Sequence, residues 1–352
     1  MENVRRTEVL IVGAGPAGTV CGSLMKKSGV DCLLVDHANF PRDKVCGGGL
    51  TIKAWRLLDM LLPGIEYDYR PIDRMCAQFE DDDVCEFKME HPIRMTRRED
   101  FDYSLLQYYQ KAGGELIKGS FAHFEQKDDK RILVTLKSGF QIDCHYLVAA
   151  DGANSLIRRQ VCGPVDMKHH FLFLEMYDNR MTSDDVFVHF SKKYKPGCLY
   201  KFSSNKRDIW GFISQDDCRD GEWYFELFRN ILRDFGVPVG RVRGAYIPMN
   251  TVLSPVGNVI LIGDAGGFPN KLTGEGLYDA FKTAYNAKRT IVEGIPFSET
   301  NAEVFKKMKN QEKVFAFFFS KFGFYLIRRL MRYPRLCKWV FDIKMRREYW
   351  VE

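Results

Sequence analysis

The segment EVLIVGAGPAG, residues 8–18, constrains this chain more than any other. A short aliphatic and β-branched run meets Gly13, Gly15 and Gly18 in the pattern G-x-G-x-x-G, and AGTVCGSLMKKSG follows with the apolar spacing of a helix. A second buried run, VDCLLVD, closes on Asp36. Strand, glycine turn, helix and strand make a βαβ unit, the seed of a parallel sheet. Gly13 permits the tight turn, Gly15 lets the backbone approach a pyrophosphate, and Gly18 lets the helix pack closely on the strand. Pro16 and Ala17 begin the helix, whose free N–H groups and partial positive charge suit phosphates. Asp36 stands 18 residues beyond Gly18, where an acid accepts hydrogen bonds from ribose hydroxyls and disfavours a 2′-phosphate. A glycine-rich turn without a ligand is the plainer alternative, and the motif alone does not separate FAD from NAD.

Further along, residues 57–62 read as a helix that stops at Pro-Gly, and residues 72–93 alternate like a strand pair linked through 81–83. A helix over RREDFDYSLLQYYQKAGG precedes three strands, ELIKG, RILVTLKSG and HYLVAADG. The aromatic runs FLFLEMY, VFVHF, CLYKF and IWGFI suggest an antiparallel sheet, after which VGNVILIGDAGG returns to the buried parallel-strand pattern. The first domain is therefore assembled from distant segments. Ten cysteines without a C-x-x-C spacing argue against a metal site with paired local ligands and against a disulfide framework. No secretory signal pattern and no spanning apolar run of about 18 residues is found, so a cytoplasmic location is expected. The formal charge of +6 favours neither nucleic acid nor membrane.

PRDKVCGGGL, residues 41–50, raises a question, because consecutive glycines contribute no side chain to a core and lose more entropy on folding. Two later stretches bear on it, LVAADGANSLIRR at 147–159 and VILIGDAGGFPNKLTGEGLYDAF at 259–281. With the motifs above and R-x-x-F-D at 98–102, they make the chain resemble the flavoprotein hydroxylase superfamily. Within it, the resemblance is to the geranylgeranyl reductase family and its short bacterial CbrA-like members, over roughly residues 6–290. It implies FAD. Asp264, after Gly263, would hold the ribityl chain, Asp151 would lie over the dinucleotide, and Cys46, Gly47 and Gly48 would run beside the isoalloxazine. Arg42, with Lys44, would meet the pyrophosphate or the substrate pocket, and Arg98 would contact the cofactor from the opposite side. The plainer alternatives are an i,i+4 pair of Arg98 with Asp102, a helix-capping Asp264 and a packing role for Cys46.

The implied fold is α/β, with a Rossmann-type FAD-binding parallel sheet, an inserted antiparallel-sheet substrate domain and a helical C-terminal extension. Residues 1–70, 95–165 and 250–300 would form the discontinuous FAD domain, 71–94 and 166–249 the substrate domain, and 301–352 the basic extension. Gly274 and Gly276 are expected in the N-terminal turn of a helix reaching Ala287, there to stabilise negative charge on a reduced flavin. The reaction implied is hydride transfer to a carbon–carbon double bond of an isoprenoid or other apolar substrate. A monooxygenase of the aromatic hydroxylase type and a non-catalytic flavin-binding protein stay open, as does NAD(P)H as electron donor. The family's Y-x-W-x-F-P stretch is only partly matched, with Tyr200 at the tyrosine and Phe202 at the tryptophan, and the W-x-W-x-I-P of halogenases is absent. His169, His170, Glu175, His189 and Tyr200 are candidate proton donors, none of them preferred. From 305 to 347 there are 13 Lys and Arg against Glu312 and Asp342, interleaved with aromatics. That pattern suits either peripheral contact with anionic lipid or aromatics packed inward beneath a solvated basic face. No nucleic-acid partner is expected.

Overall fold

A computed structural model describes residues 4–127, 130–164, 170–194, 196–204, 207–215 and 220–339. In chain order the elements are β1 (Arg5–Val12), α1 (Pro16–Lys27), β2 (Cys32–Asp36), β3 (Gly49–Leu50), α2 (Ile52–Leu61), β4 (Arg70–Phe79), β5 (Cys85–Met95) and α3 (Arg98–Lys111). There follow β6 (Glu115–Lys118), β7 (Phe121–Gln126), β8 (Ile132–Leu136), β9 (Gln141–Ala149), α4 (Leu156–Cys162), β10 (Phe171–Asp178), β11 (Val186–Phe190), β12 (Gly197–Ser203) and β13 (Asp208–Ser214). The remainder is α5 (Gly221–Asp234), β14 (Val242–Ile247), β15 (Val259–Leu261), α6 (Leu277–Glu293), α7 (Phe297–Thr300), α8 (Ala302–Phe319) and α9 (Lys321–Leu330).

The strands make two sheets. The first has the order β6-β2-β1-β9-β8-β7, and its long strand β9 is shared: residues 141–144 pair antiparallel with β8, and residues 147–149 pair parallel with β15. Its strands β1 and β2 are apolar on both faces because α1, α3 and α6 cover one side and a second core, with Ile157 of α4, fills the other. The second sheet runs β14-β10-β13-β12-β11-β4-β5-β3. One of its faces, through Leu174, Leu199 and Phe212, packs on Tyr224, Phe228 and Ile231 of α5. By strand alternation the other presents Phe173, Glu175, Tyr200 and Phe202, and α8 and α9 close over part of it, with Phe318 at 5.2 Å from Phe190 and Phe324 at 5.4 Å from Phe79 between ring centroids.

The α/β architecture expected from the sequence is therefore present, and several local expectations need correction. The helix of residues 57–62 starts at Ile52. The last helix of the first layer begins after Gly276 and continues past Ala287 to Glu293, where Gly294 adopts the left-handed conformation that ends it. Strands β7 and β14 and helix α5 were missing from the sequence reading. Strand β7 has half its residues exposed and carries no clean alternation, whereas α5 has a readable stripe at 224, 228, 231 and 232. The second sheet is not wholly antiparallel either: β4 and β11 run parallel, a pairing the long connection between them permits.

Candidate functional site

Register brings the site together. Val12 pairs with Val35 and Ala149, and Ala149 pairs with Leu261, so the chain leaves β1, β2, β9 and β15 along one edge. Asp36 closes β2 and Gly13, Asp151 and Asp264 follow the other three strands, at the carboxyl edge where open α/β sheets take ligands. A cavity of about 2030 Å³ opens there and runs on beneath the second sheet. Gly13, Gly15, Pro16, Ala17, Asp36, Arg42, Cys46, Gly47, Gly48, Arg98, Asp151, Asp264, Gly274 and Gly276 all line it, as do Tyr200 and Phe202. Gly18 and Gly263 lie behind the wall.

The glycines of the first turn are glycine for different reasons. A Cβ on Gly13 would stand 2.2 Å from the Ala150 carbonyl oxygen, and one on Gly18 would stand 1.8 Å from that of Gly13. The fold itself forbids side chains there. At Gly15 the nearest atom would be the Arg42 guanidinium nitrogen at 3.2 Å, the movable end of a side chain. Helix α1 starts at this point with no side-chain cap and no acid in its first turn, so open N–H groups and a guanidinium face the same space. Asp36 accepts hydrogen bonds from the amides of Ala14 and Ala38, both at 2.7 Å, and each carboxylate oxygen keeps a second lone pair for a hydroxyl donor. Asp151 accepts from Leu156 N at 3.0 Å, while its Oδ1 is buried with no partner among the described residues and burial raises its pKa. Asp264 lies 3.4 Å from Lys44 Nζ, and a Cβ on Gly276 would come within 3.2 Å of its Oδ1. Bare backbone, an open helix end and an orphaned acceptor fit FAD, whose phosphates accept and whose sugar hydroxyls donate.

The glycines after Cys46 answer first to the protein. A Cβ on Gly47 would press to 2.6 Å from the Phe202 ring and 3.2 Å from that of Tyr200, and Gly48 has φ near +73° with its virtual Cβ 2.1 Å from the Thr96 carbonyl oxygen. Packing against β12 and Thr96 thus by itself calls for bare backbone at Gly47 and Gly48. Cys46 is half-buried on the cavity wall, and its amide donates to Glu175 Oε2 at 2.7 Å. Glu175 is completely buried and pairs with Arg243, which also bonds Asp43. Burial raises the Glu175 pKa, and Arg243 pulls it back only in part. Arg98 spends its guanidinium on Asp102, with bonds of 2.8 and 2.9 Å, and Arg42 joins the same carboxylate at 3.1 Å. The i,i+4 pair therefore exists, and Arg98 bounds the cavity as part of it.

Among the candidate proton donors in the described residues, Tyr200 alone lines the cavity. Its ring lies 4.4 Å from that of Phe202 and 5.9 Å from that of Phe173 between centroids, and burial pushes its pKa well up. His189 bonds Tyr194 Oη at 2.8 Å and the Glu80 carbonyl oxygen at 2.9 Å, outside the cavity wall. His170 and Glu175 are likewise behind it, and His169 falls outside the described residues. Sequence reasoning missed the Glu175, Arg243 and Asp43 network, and also the buried ion pair of Lys53 with Glu275 at 3.1 Å, in which Thr51 Oγ1 donates to Glu275 at 2.6 Å. No local pattern announces partners this far apart in sequence. Among the described residues no cluster of side chains suits a metal ion.

Residues 6–226 match the profile of a family described as FAD binding domain. The chain is 26% identical over 325 residues to a chloroplastic geranylgeranyl diphosphate reductase of Oryza sativa subsp. japonica, covering 82% of this chain and 67% of that one. It is 27% identical over 298 residues to a menaquinone reductase of Mycobacterium tuberculosis, covering 77% and 72%. In fold it is similar to a geranylgeranyl bacteriochlorophyll reductase-like protein of Thermoplasma acidophilum, with a TM-score of 0.74 at 17% identity over 89% of this chain and 83% of that one. A halogenase structure superposes with a TM-score of 0.73 at 17% identity over 93% and 79%. With the nucleotide cradle at the sheet edge and a profile match over more than half its length, the chain belongs to the FAD binding domain family of oxidoreductases.

Proposed function

We propose that this chain is an FAD-dependent reductase that saturates carbon–carbon double bonds of an elongated apolar substrate of the isoprenoid type. One observation carries the reading: the cavity that begins at the nucleotide cradle continues into a lobe walled by Phe171, Phe190, Phe202, Phe318 and Ile327. Moving an aliphatic chain from water into such a lobe is favourable by about 25 cal/mol per Å². Reduced FAD, when bound, supplies a hydride to one carbon of the double bond. The chain's own residues orient the substrate and complete the reduction. Tyr200 and Phe202, packed on the bare Gly47 backbone, form one wall against which the double bond lies, and the packed rings of Phe190 and Phe318 keep water out. Tyr200, kept neutral by burial, donates its phenolic proton to the neighbouring carbon and regains one from solvent. NAD(P)H or another external donor reduces the protein between turnovers. The names of the rice and mycobacterial relatives, geranylgeranyl diphosphate reductase and menaquinone reductase, support the substrate class.

The test is anaerobic. Photoreduced, FAD-loaded protein is offered geranylgeranyl lipids and menaquinones, while flavin absorbance and product mass are followed. Reoxidation with a gain of two hydrogens per bond supports the proposal. Reoxidation by oxygen alone, with a hydroxylated product, would replace it with the monooxygenase reading. Flavin that no substrate reoxidises would favour the non-catalytic one.

A further inference from the structure

The C-terminal helices have two unlike faces. Phe315, Phe318, Phe324 and Ile327 point inward, against the second sheet or the cavity. Outward, Phe322 is 66% exposed and Tyr333 62% exposed, with Phe317, Tyr325 and Trp339 also exposed around them. Positions 322, 325 and 329 recur at helical spacing along α9, and the exposed Tyr333 follows just beyond its C-terminus. Across residues 313–339 the chain carries seven Lys and Arg and no Asp or Glu. Asp82 engages Arg328 and Arg332 from the β4–β5 turn, while Lys313, Lys321, Arg329 and Arg335 are exposed. Val314 and Leu330 are exposed and also line the cavity, so the apolar lobe opens on this face. Large aromatics in water beside cations suit an interface with apolar depth and negative surface charge. Among the described residues no helix is long and apolar enough to cross a membrane.

We infer that the outer face of α8, α9 and the following residues to 339 docks on the surface of an anionic lipid bilayer, seating Phe317, Phe322, Tyr325 and Tyr333 at the headgroup boundary while the basic side chains meet lipid phosphates. The inference concerns this surface alone and does not rest on the proposed reaction. Full-length protein is sedimented with vesicles of phosphatidylcholine, or of phosphatidylcholine mixed with phosphatidylglycerol, at low and high salt. Two variants accompany it, Phe322→Ser with Tyr333→Ser, and Lys321→Glu with Arg329→Glu and Arg335→Glu. All five positions are exposed, and unchanged thermal unfolding verifies that both variants fold. The wild type is expected to pellet with the anionic vesicles only, with each variant binding about tenfold more weakly and high salt acting like the charge reversal. Equal recovery with neutral vesicles, or anionic binding untouched by both variants, would overturn the inference. So would a solution dimer that the aromatic variant splits, because the face would then belong to a second copy of the chain.

Discussion

At Gly47 and Gly15 the same residue type serves opposite ends. Gly47 is bare because the Phe202 ring occupies the position of a side chain, so Gly47→Ala should destabilise the protein by about 1–3 kcal/mol. In a Phe202→Ala background, itself costing about 3 kcal/mol, the Gly47→Ala penalty should largely vanish. Denaturant unfolding of the four proteins checks this, and additive penalties would mean that Phe202 is not the reason for the glycine. Gly15 has space around it limited only by Arg42. Gly15→Val should therefore fold with nearly unchanged stability but purify without flavin colour, as read from the visible spectrum and from the loss of FAD-dependent thermal stabilisation. The glycine pattern was legible from one short window of sequence. The identity of the ring against Gly47 was not, although Phe202 stands at the tryptophan of the family's Y-x-W-x-F-P stretch.

Among the elements, α9 depends on the turn between β4 and β5. Arg328 donates to Asp82 at 2.6 and 2.8 Å across 246 residues of sequence, and this contact, with Phe324 against Phe79, holds the helix over the cavity. The hydrogen bonds from Arg328, ahead of the cost of burial, hold the Asp82 pKa below its usual 3.8. An acid with a depressed folded pKa stabilises the folded state above its unfolded value, and the benefit disappears as pH falls through the folded value. The pair should therefore weaken only below about pH 3.8. At neutral pH, Arg328→Ala should release the C-terminal helices to limited proteolysis while lowering global stability by only about 1 kcal/mol. Asp82→Asn should do the same and should also flatten the acid limb of the stability profile. Periodicity announced a helical C-terminus, yet its inward and outward faces were ambiguous, because aromatics occur on both sides of α8 and α9.

For the molecule as a whole, Glu175 ties the second sheet to the loop beside the nucleotide cradle. It sits on β10, accepts from the Cys46 amide beside the nucleotide cradle and pairs with Arg243 on β14. Glu175→Ala should cost about 3–5 kcal/mol, because it leaves Arg243 and the Cys46 N–H without their partner. Glu175→Gln keeps an acceptor and should cost less. Burial raises the Glu175 pKa above 4.5, so the folded state binds its proton more tightly than the unfolded chain. Its contribution to stability then falls as pH rises from about 4.5 through the raised value, and the gap between wild type and Glu175→Gln should shift in that direction across the window, as measured by unfolding at several pH values.

What the sequence by itself determined is local: the βαβ unit, the glycine turn, the acid closing β2 and the aromatic strands are each set by backbone conformation and burial period within a few residues. The tertiary structure alone decided that Glu175 reaches Cys46 across 129 positions, that β4 lies parallel to β11, and that the C-terminal aromatics divide between a cavity wall and an exposed stripe. The physical reason is that a residue's period reports which face it occupies, whereas its partner depends on how distant elements cross.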